Sequence, residues 1–233
     1  MHIVISHLTR MQPGYICVAG VDPETGRLIR PVLNRRRLSR ELLREEGGVF
    51  EIGALVDLGD TRNIGHAPEV EDREFSVENL RYRRRLKPDA FWKSLTQTSH
   101  NELHSIFGDE LEQRESSCTV NVDCGVASLG HLAPERIPYF AVNPWGKIRM
   151  QISAGQFRPD LSVTDIRLYK SDQQTARRRI QASVAGRLAE TRVLLAVGLT
   201  RPWKKNSDTV QRHWLQVNNI HLEEDPLGEM FEF

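Results

Sequence analysis

Short apolar and β-branched runs separated by tight turns recur along the chain, and they predict strands more often than helices. His2 to Ser6 reads as a first strand, and Pro13-Gly14 punctuates the turn into a second, Tyr15 to Val21. Asp22-Pro23-Glu24-Thr25-Gly26 is a hairpin loop, with Arg27 to Val32 as the returning strand. Alternation in that strand is imperfect, so no inner face is assigned, and Pro31 puts it at an edge or at its own end. Ile52 to Leu58, Arg73 to Val77 and the Val-rich stretch Cys118 to Leu129 extend the β pattern. Beyond a connector at Pro134 and Pro138, Tyr139 to Val142, Lys147 to Ser153 and Leu161 to Tyr169 read as strands, the first two joined by the turn Asn143-Pro144-Trp145-Gly146. Val193 to Thr200 is apolar enough for a core strand, and Arg212 to Leu222 alternates Trp214, Gln216, Asn218 and Ile220 against His213, Leu215, Val217, Asn219 and His221. The polar loop Arg201 to Thr209 leaves no room for a helix, so these two strands are expected to pair antiparallel.

Helical signals are fewer. Leu38, Leu42 and Leu43 suggest a helix over Leu38 to Glu46, stopped by Gly47-Gly48. Pro88 to Leu95 opens on a proline suited to a first helical turn, and Ser99 to Phe107 carries Ser99 and Glu102 as a capping box. Thr175 to Thr191 is the best helix, with Ile180, Val184 and Leu188 on one face and Arg177 to Arg179 expected in solvent. The tail from Asp225 is expected to pack loosely. The fold class is therefore mostly β with a few helices (α+β): two antiparallel β-barrel units in tandem, residues 1–134 with a helical insert around 88–107, and residues 135–233 with the helix 175–191.

Composition permits two packed cores, since 39% of the 233 residues are hydrophobic and 27% charged. No apolar run approaches the roughly 20 residues needed to cross a bilayer, and the N-terminus lacks a signal-peptide pattern. The three cysteines, Cys17, Cys118 and Cys124, point to reduced thiols in a cytoplasm. Cys118, Cys124 and His131 lack the close pairing of zinc ligands, so no metal and no cofactor is expected. Net charge is only +1, from 32 basic and 31 acidic residues. The distribution is uneven, however: basic clusters stand at Arg35-Arg36-Arg37, Arg81 to Lys87 and Arg177-Arg178-Arg179, and acid gathers at Glu69 to Glu74, Asp109 to Glu115 and Glu223-Glu224-Asp225. A near-neutral total can conceal a basic groove, because a ligand feels charge within a Debye length of ~8–10 Å.

Phosphate-loop, dinucleotide-fingerprint, nucleophile-elbow and H-E-x-x-H motifs are all absent, and no catalytic residue is assigned. His100, Glu102 and His104 would point apart on a helix and are read as a solvated face. The densest chemistry lies late in the chain, where Arg201, Trp203, Lys204, Lys205 and Asn206 follow the core strand and His213, Trp214, Gln216 and Asn218 lie on the next one. Cations hold phosphates, flat rings stack on bases for about 1–3 kcal/mol each, and amides read base edges. The two tryptophans can equally cap a small core, and both roles are compatible because barrel strands present residues alternately inward and outward.

At both ends the sequence resembles a known family. Gly14, Cys17-Val18-Ala19-Gly20 and Thr25-Gly26-Arg27-Leu28-Ile29-Arg30-Pro31-Val32, together with Leu199-Thr200-Arg201-Pro202-Trp203 and His213-Trp214-Leu215-Gln216-Val217-Asn218-Asn219-Ile220, are similar to the opening and closing motifs of bacterial dual OB-containing domain proteins. The stretch from about Arg35 to Arg136 carries no matching pattern. The resemblance implies two OB-like barrels, a fold that commonly holds single strands or oligosaccharides, and it brings no activity with it.

These readings converge on a non-enzymatic binding module for single-stranded nucleic acid or a nucleotide, an accessory protein of bacterial defence or nucleic-acid processing. Its expected groove is Arg30, Arg201, Trp203, Lys204, Lys205, His213 and Trp214, with Gln216 and Asn218 as polar readers. Two alternatives stand beside it: a protein–protein interaction or regulatory module, and a nucleotide-acting enzyme whose site is assembled from distant residues. A shallow basic groove would favour strands, a deep pocket drawing on both units a nucleotide, and a flat apolar patch a protein partner.

Overall fold

The structure is a computed structural model and describes residues 1–205 and 208–231. The N-terminal part of the chain supplies β1 (His2–Arg10), β2 (Tyr15–Val21), β3 (Leu28–Val32), β4 (Leu38–Ser39), β5 (Ala54–Asp57), β6 (Arg62–Asn63), β7 (Asp72–Glu74) and β8 (Arg81–Arg85). They form one eight-stranded sheet in the order β6-β7-β3-β2-β1-β5-β8, with β4 paired to β2. Helix α1 (Pro88–Gln97) packs Phe91 and Leu95 into the core of this sheet. The chain continues through β9 (Ser99–His100), α2 (His104–Phe107), β10 (Glu112–Arg114), β11 (Ser117–Asn121), β12 (Leu129–Leu132), β13 (Tyr139–Val142), β14 (Ile148–Gln151), β15 (Asp160–Ser162), α3 (Arg178–Arg187), β16 (Val193–Leu199) and β17 (Arg212–Leu222). A six-stranded sheet runs β10-β11-β17-β16-β12-β9, and a three-stranded sheet runs β13-β14-β15.

The result is mostly β, with two curled half-barrel sheets that fit two OB-like units. Curling needs close backbone approach at a few places. Gly20 is one: a Cβ there would sit 2.3 Å from Val4 O, so only glycine lets β2 cross β1 at that point. β1 also bulges between Ile5 and His7, and β16 with β17 between Ala196 and Val197. The expected antiparallel pairing of β16 and β17 is found, from Val193↔Leu222 to Leu199↔Leu215.

Where pattern and structure part, local polar chemistry decides. Leu38 to Glu46 is not a helix. Leu38 pairs with Ile16 as β4 and two short 3-10 turns follow, the first capped by the Ser39 hydroxyl. Ser99 is not an N-cap: its hydroxyl donates to Thr96 O at 2.9 Å, Ser99–His100 runs parallel to β12, and α2 is a single turn. Cys118 to Leu129 is two strands, β11 and β12, which pair with β17 and β16 rather than with each other. Leu161 to Tyr169 is cut short after Ser162, and Asp165 caps a 3-10 turn at Ile166–Leu168. The helix at Thr175 to Thr191 shrinks to α3, because Asp172 captures the Thr175 amide and hydroxyl in a turn. Ile180, Val184 and Leu188 are buried as expected, and Arg178 and Arg179 exposed. Arg177 is half-buried and donates to Arg167 O and Phe231 O. The tail is anchored, with Leu227 and Phe231 buried and Asp225 accepting from the amides of Gly228, Glu229 and Met230.

The seam between the units runs along β1 and β17 and is polar. Asn219 grips the Leu8 backbone on both sides, accepting from Leu8 N at 2.7 Å and donating to Leu8 O at 3.2 Å. His221 Nε2 meets Ser6 O at 3.0 Å, and Arg10 N donates to Thr164 O at 2.9 Å. Both faces of β1 are thereby covered, which is why its residues from Ile3 to Thr9 are all buried.

Candidate nucleic-acid interface

Past Leu199 the β16–β17 hairpin continues through reciprocal backbone bonds between Trp203 and Arg212. Thr200 ties its base: its hydroxyl accepts from Trp214 N, and its carbonyl accepts from His213 Nδ1 at 2.9 Å. Trp214 lies inside. Its Nε1 donates to Trp203 O at 3.1 Å, the Trp203 ring packs 6.0 Å away at 49°, and Lys205 Nζ sits 3.6 Å over its face. Lys205 Nζ also donates to Ser117 Oγ on β11 at 3.0 Å. Burial lowers the Lys205 pKa, and the positive charge of Arg149 on β14 lowers it further.

The expected groove residues therefore divide. Arg30 is buried and donates from Nε to Asp72 Oδ1 at 2.5 Å. Arg201 reaches the other oxygen, Asp72 Oδ2, at 2.6 Å, and Glu69 Oε1 at 3.1 Å. Two buried carboxylates thus occupy both guanidinium groups. His213, Trp214 and Asn218 are buried, and Gln216 is half-buried. Trp203 and Lys204 are exposed and Lys205 half-exposed, and Asn206 lies outside the described residues. The acidic run at Glu69 to Glu74 is the sequence signal for this clamp. A third member, Glu71, accepts from Ser128 N and Oγ and from Leu129 N, and burial raises its pKa.

Beside the loop lies a face that sequence reasoning passed over. β13 and β14 alternate strictly, so Phe140, Ile148 and Met150 turn into the core and Tyr139, Arg149 and Gln151 turn outward, with Trp145 at the hairpin tip. Trp145 is 81% exposed, Tyr139 67% and Trp203 45%. Arg149 is held upright by Asp160 and Ser162 of β15. Asp160 N donates to Ser116 O at 2.8 Å, which joins the three-stranded sheet to the start of β11, next to the Lys205 contact. Arg149, on the hairpin that carries Tyr139 and Trp145, lies within electrostatic reach of Lys205 on the loop after β16.

Two curled β units with polar and aromatic side chains on an open sheet face define an OB-fold binding module. The family model of the dual OB-containing domain matches residues 1–220, and the chain belongs to that family. No curated protein and no solved structure gives a significant match. Among the described residues, no helix is long and apolar enough to cross a membrane.

Proposed function

We propose that the protein binds single-stranded nucleic acid across the outward face of β13–β15 and the loop after β16. The observation that carries this reading is the set of exposed rings, Tyr139 and Trp145 on the hairpin that carries Arg149 and Trp203 beside Lys204 and Lys205, with Arg149 and Lys205 within electrostatic reach of each other. Each base has a π-face for such rings, and the cations serve the backbone without regard to sequence. The site departs from the expected groove: Arg30, His213, Trp214 and Asn218 support it from inside and do not touch the strand.

Fluorescence anisotropy with labelled single-stranded DNA and RNA tests the reading. Trp145→Ala and Trp203→Ala are each expected to weaken binding by about 1–3 kcal/mol. Lys204→Ala with Lys205→Ala is expected to lower the log–log salt slope by up to about 1.4. Ile137, 63% exposed beside Tyr139, extends an apolar patch that a protein partner would also fit. That second reading takes over if the intact protein binds no strand at low salt.

A further inference from the structure

On another side of the molecule a cleft of about 800 Å³ opens between the two units, within the range of small-molecule sites. Arg40, Arg44 and Arg85 reach it from the first unit, and Arg167, Lys170 and Arg177 from the second, and among the described residues the acidic lining is Glu45 and Glu51. Among the described residues, Arg40 forms ion pairs with Glu45 and Glu46, Arg85 with Glu51, and Arg167 with Asp165. Arg44 and Lys170 belong to none of them. Arg44 lies 4.4 Å over the Tyr82 ring with a 3.4 Å contact to Gly48 O, and Lys170 is exposed. Arg40 Nε is shielded from solvent with no acceptor among the described residues. Carbonyl oxygens hold other donors: Arg85 bonds Ile52 O and Leu227 O, and Arg167 bonds Ile220 O. Those carbonyls fix the two guanidinium groups in place while Glu51 and Asp165 balance their charge, which leaves Arg44 and Lys170 as the cations without an acidic partner among the described residues.

Between the cations the walls are apolar, with Phe50 and Ile52 from one unit and Ile166 from the other. A cationic rim around an apolar strip suits a ligand that carries several negative charges at one end and a flat, poorly hydrated group at the other. A half-open cleft of this volume holds a compact ligand. We infer that this cleft binds a nucleoside polyphosphate, with the phosphates on Arg40, Arg44 and Lys170 and the heterocycle against the apolar walls. The inference is separate from the sheet face and does not rest on it.

Isothermal titration of the full chain with ATP, GTP and inorganic tripolyphosphate tests it, beside two otherwise identical oligonucleotides bearing a 5′-triphosphate or a 5′-hydroxyl. Saturable binding of a nucleotide, tighter than tripolyphosphate and weakened about tenfold by Lys170→Glu, supports the inference. Binding of the 5′-triphosphate strand in preference to free nucleotides also supports it and identifies a strand end as the source. Trp145→Ala is expected to leave this binding unchanged, so failure at the sheet face and failure here are distinguishable. Arg44→Gln is a second probe, and because Arg44 also packs on Tyr82, Lys170→Glu on the solvent side carries the decision. No heat with any of these ligands, equal affinity for tripolyphosphate and nucleotides, or full binding by Lys170→Glu would each overturn the assignment.

Discussion

The seam between the units makes folding stability depend on pH in a calculable way. His7 is fully buried on β1, 3.0 Å from Ser6 Oγ through Nδ1, and its ring centroid lies 5.1 Å from that of His131. Burial pushes its pKa down from 6.5 to about 4, and the nearby charge of Arg30 pushes the same way. The folded protein thus keeps His7 neutral, whereas the unfolded chain takes up a proton as pH falls through 6.5. The stability is present above pH 6.5 and is lost progressively down to about pH 4. A shift of that size corresponds to about 3 kcal/mol in full and about 2 kcal/mol at pH 5. His221, pushed down to about 3, and His131, well below its ordinary value, act with the same sign. Glu71 acts oppositely, since its raised carboxyl pKa favours the fold as pH falls. Asp57 and Asp172, both lowered to about 2, titrate below this window. His7→Gln removes the first contribution and relieves the smaller effect of His7 on His131 and His221. Urea unfolding at pH 7.5 and pH 5 is expected to show the loss of stability between the two shrinking by about 2 kcal/mol in the variant, whatever its stability at pH 7.5. An equal loss in both proteins would refute the reasoning, because it would mean His7 titrates alike in the folded and unfolded chain.

Two further predictions concern the core. Val184→Asp places a charge at a fully buried position on α3 and is expected to cost several kcal/mol, about the scale of an unpaired buried charge, seen as a large drop in melting temperature. Trp214→Ala empties the space between Trp203 and Lys205 and is expected to destabilise by about 3–5 kcal/mol in denaturant titration, whereas Trp145→Ala at the exposed hairpin tip should leave the unfolding midpoint in place.

Strands were the legible part of this fold because they state their period locally. Val193 to Leu199 and Arg212 to Leu222 each read as a strand alone, and the short polar loop between them fixes their pairing. Helices were less legible where a strand distant in sequence claimed the segment. Leucines at Leu38, Leu42 and Leu43 mimic a helical face, yet Leu38 is spent on pairing with Ile16, and nothing between Leu38 and Glu46 announces that partner. The Ser99–Glu102 spacing is likewise a genuine cap pattern, overridden because His131 and Leu132 offer the backbone a parallel strand. The site divided along the same line. Arg30 and Arg201 were recognisable as cations, but Asp72 and Arg201 are 129 residues apart in the chain, so their neutralisation could not be read from either neighbourhood. Trp145, by contrast, was readable in principle: strict alternation on both flanking strands places Tyr139 and Arg149 outside and leaves the tip ring without a core to enter.

The polar seam gives these separate observations one physical basis. An apolar contact between two curled sheets could repack in a neighbouring register, since the hydrophobic effect is non-directional. A seam made of Asn219 on both sides of Leu8, His221 on Ser6 and Arg10 on Thr164 has one register, and displacement would strand buried donors and acceptors at about 1–3 kcal/mol each. The Arg30–Asp72–Arg201 clamp adds a second fixed point, joining β3 and β7 of the first unit to the loop that carries Trp203. The first unit therefore sets the position of the second unit's loop, and the cleft on the other side keeps its two walls at one spacing. On this argument Arg30 is a positioning residue for the proposed nucleic-acid face. It is the buried anchor of Asp72, which holds Arg201 and hence the start of the loop that carries Trp203, Lys204 and Lys205.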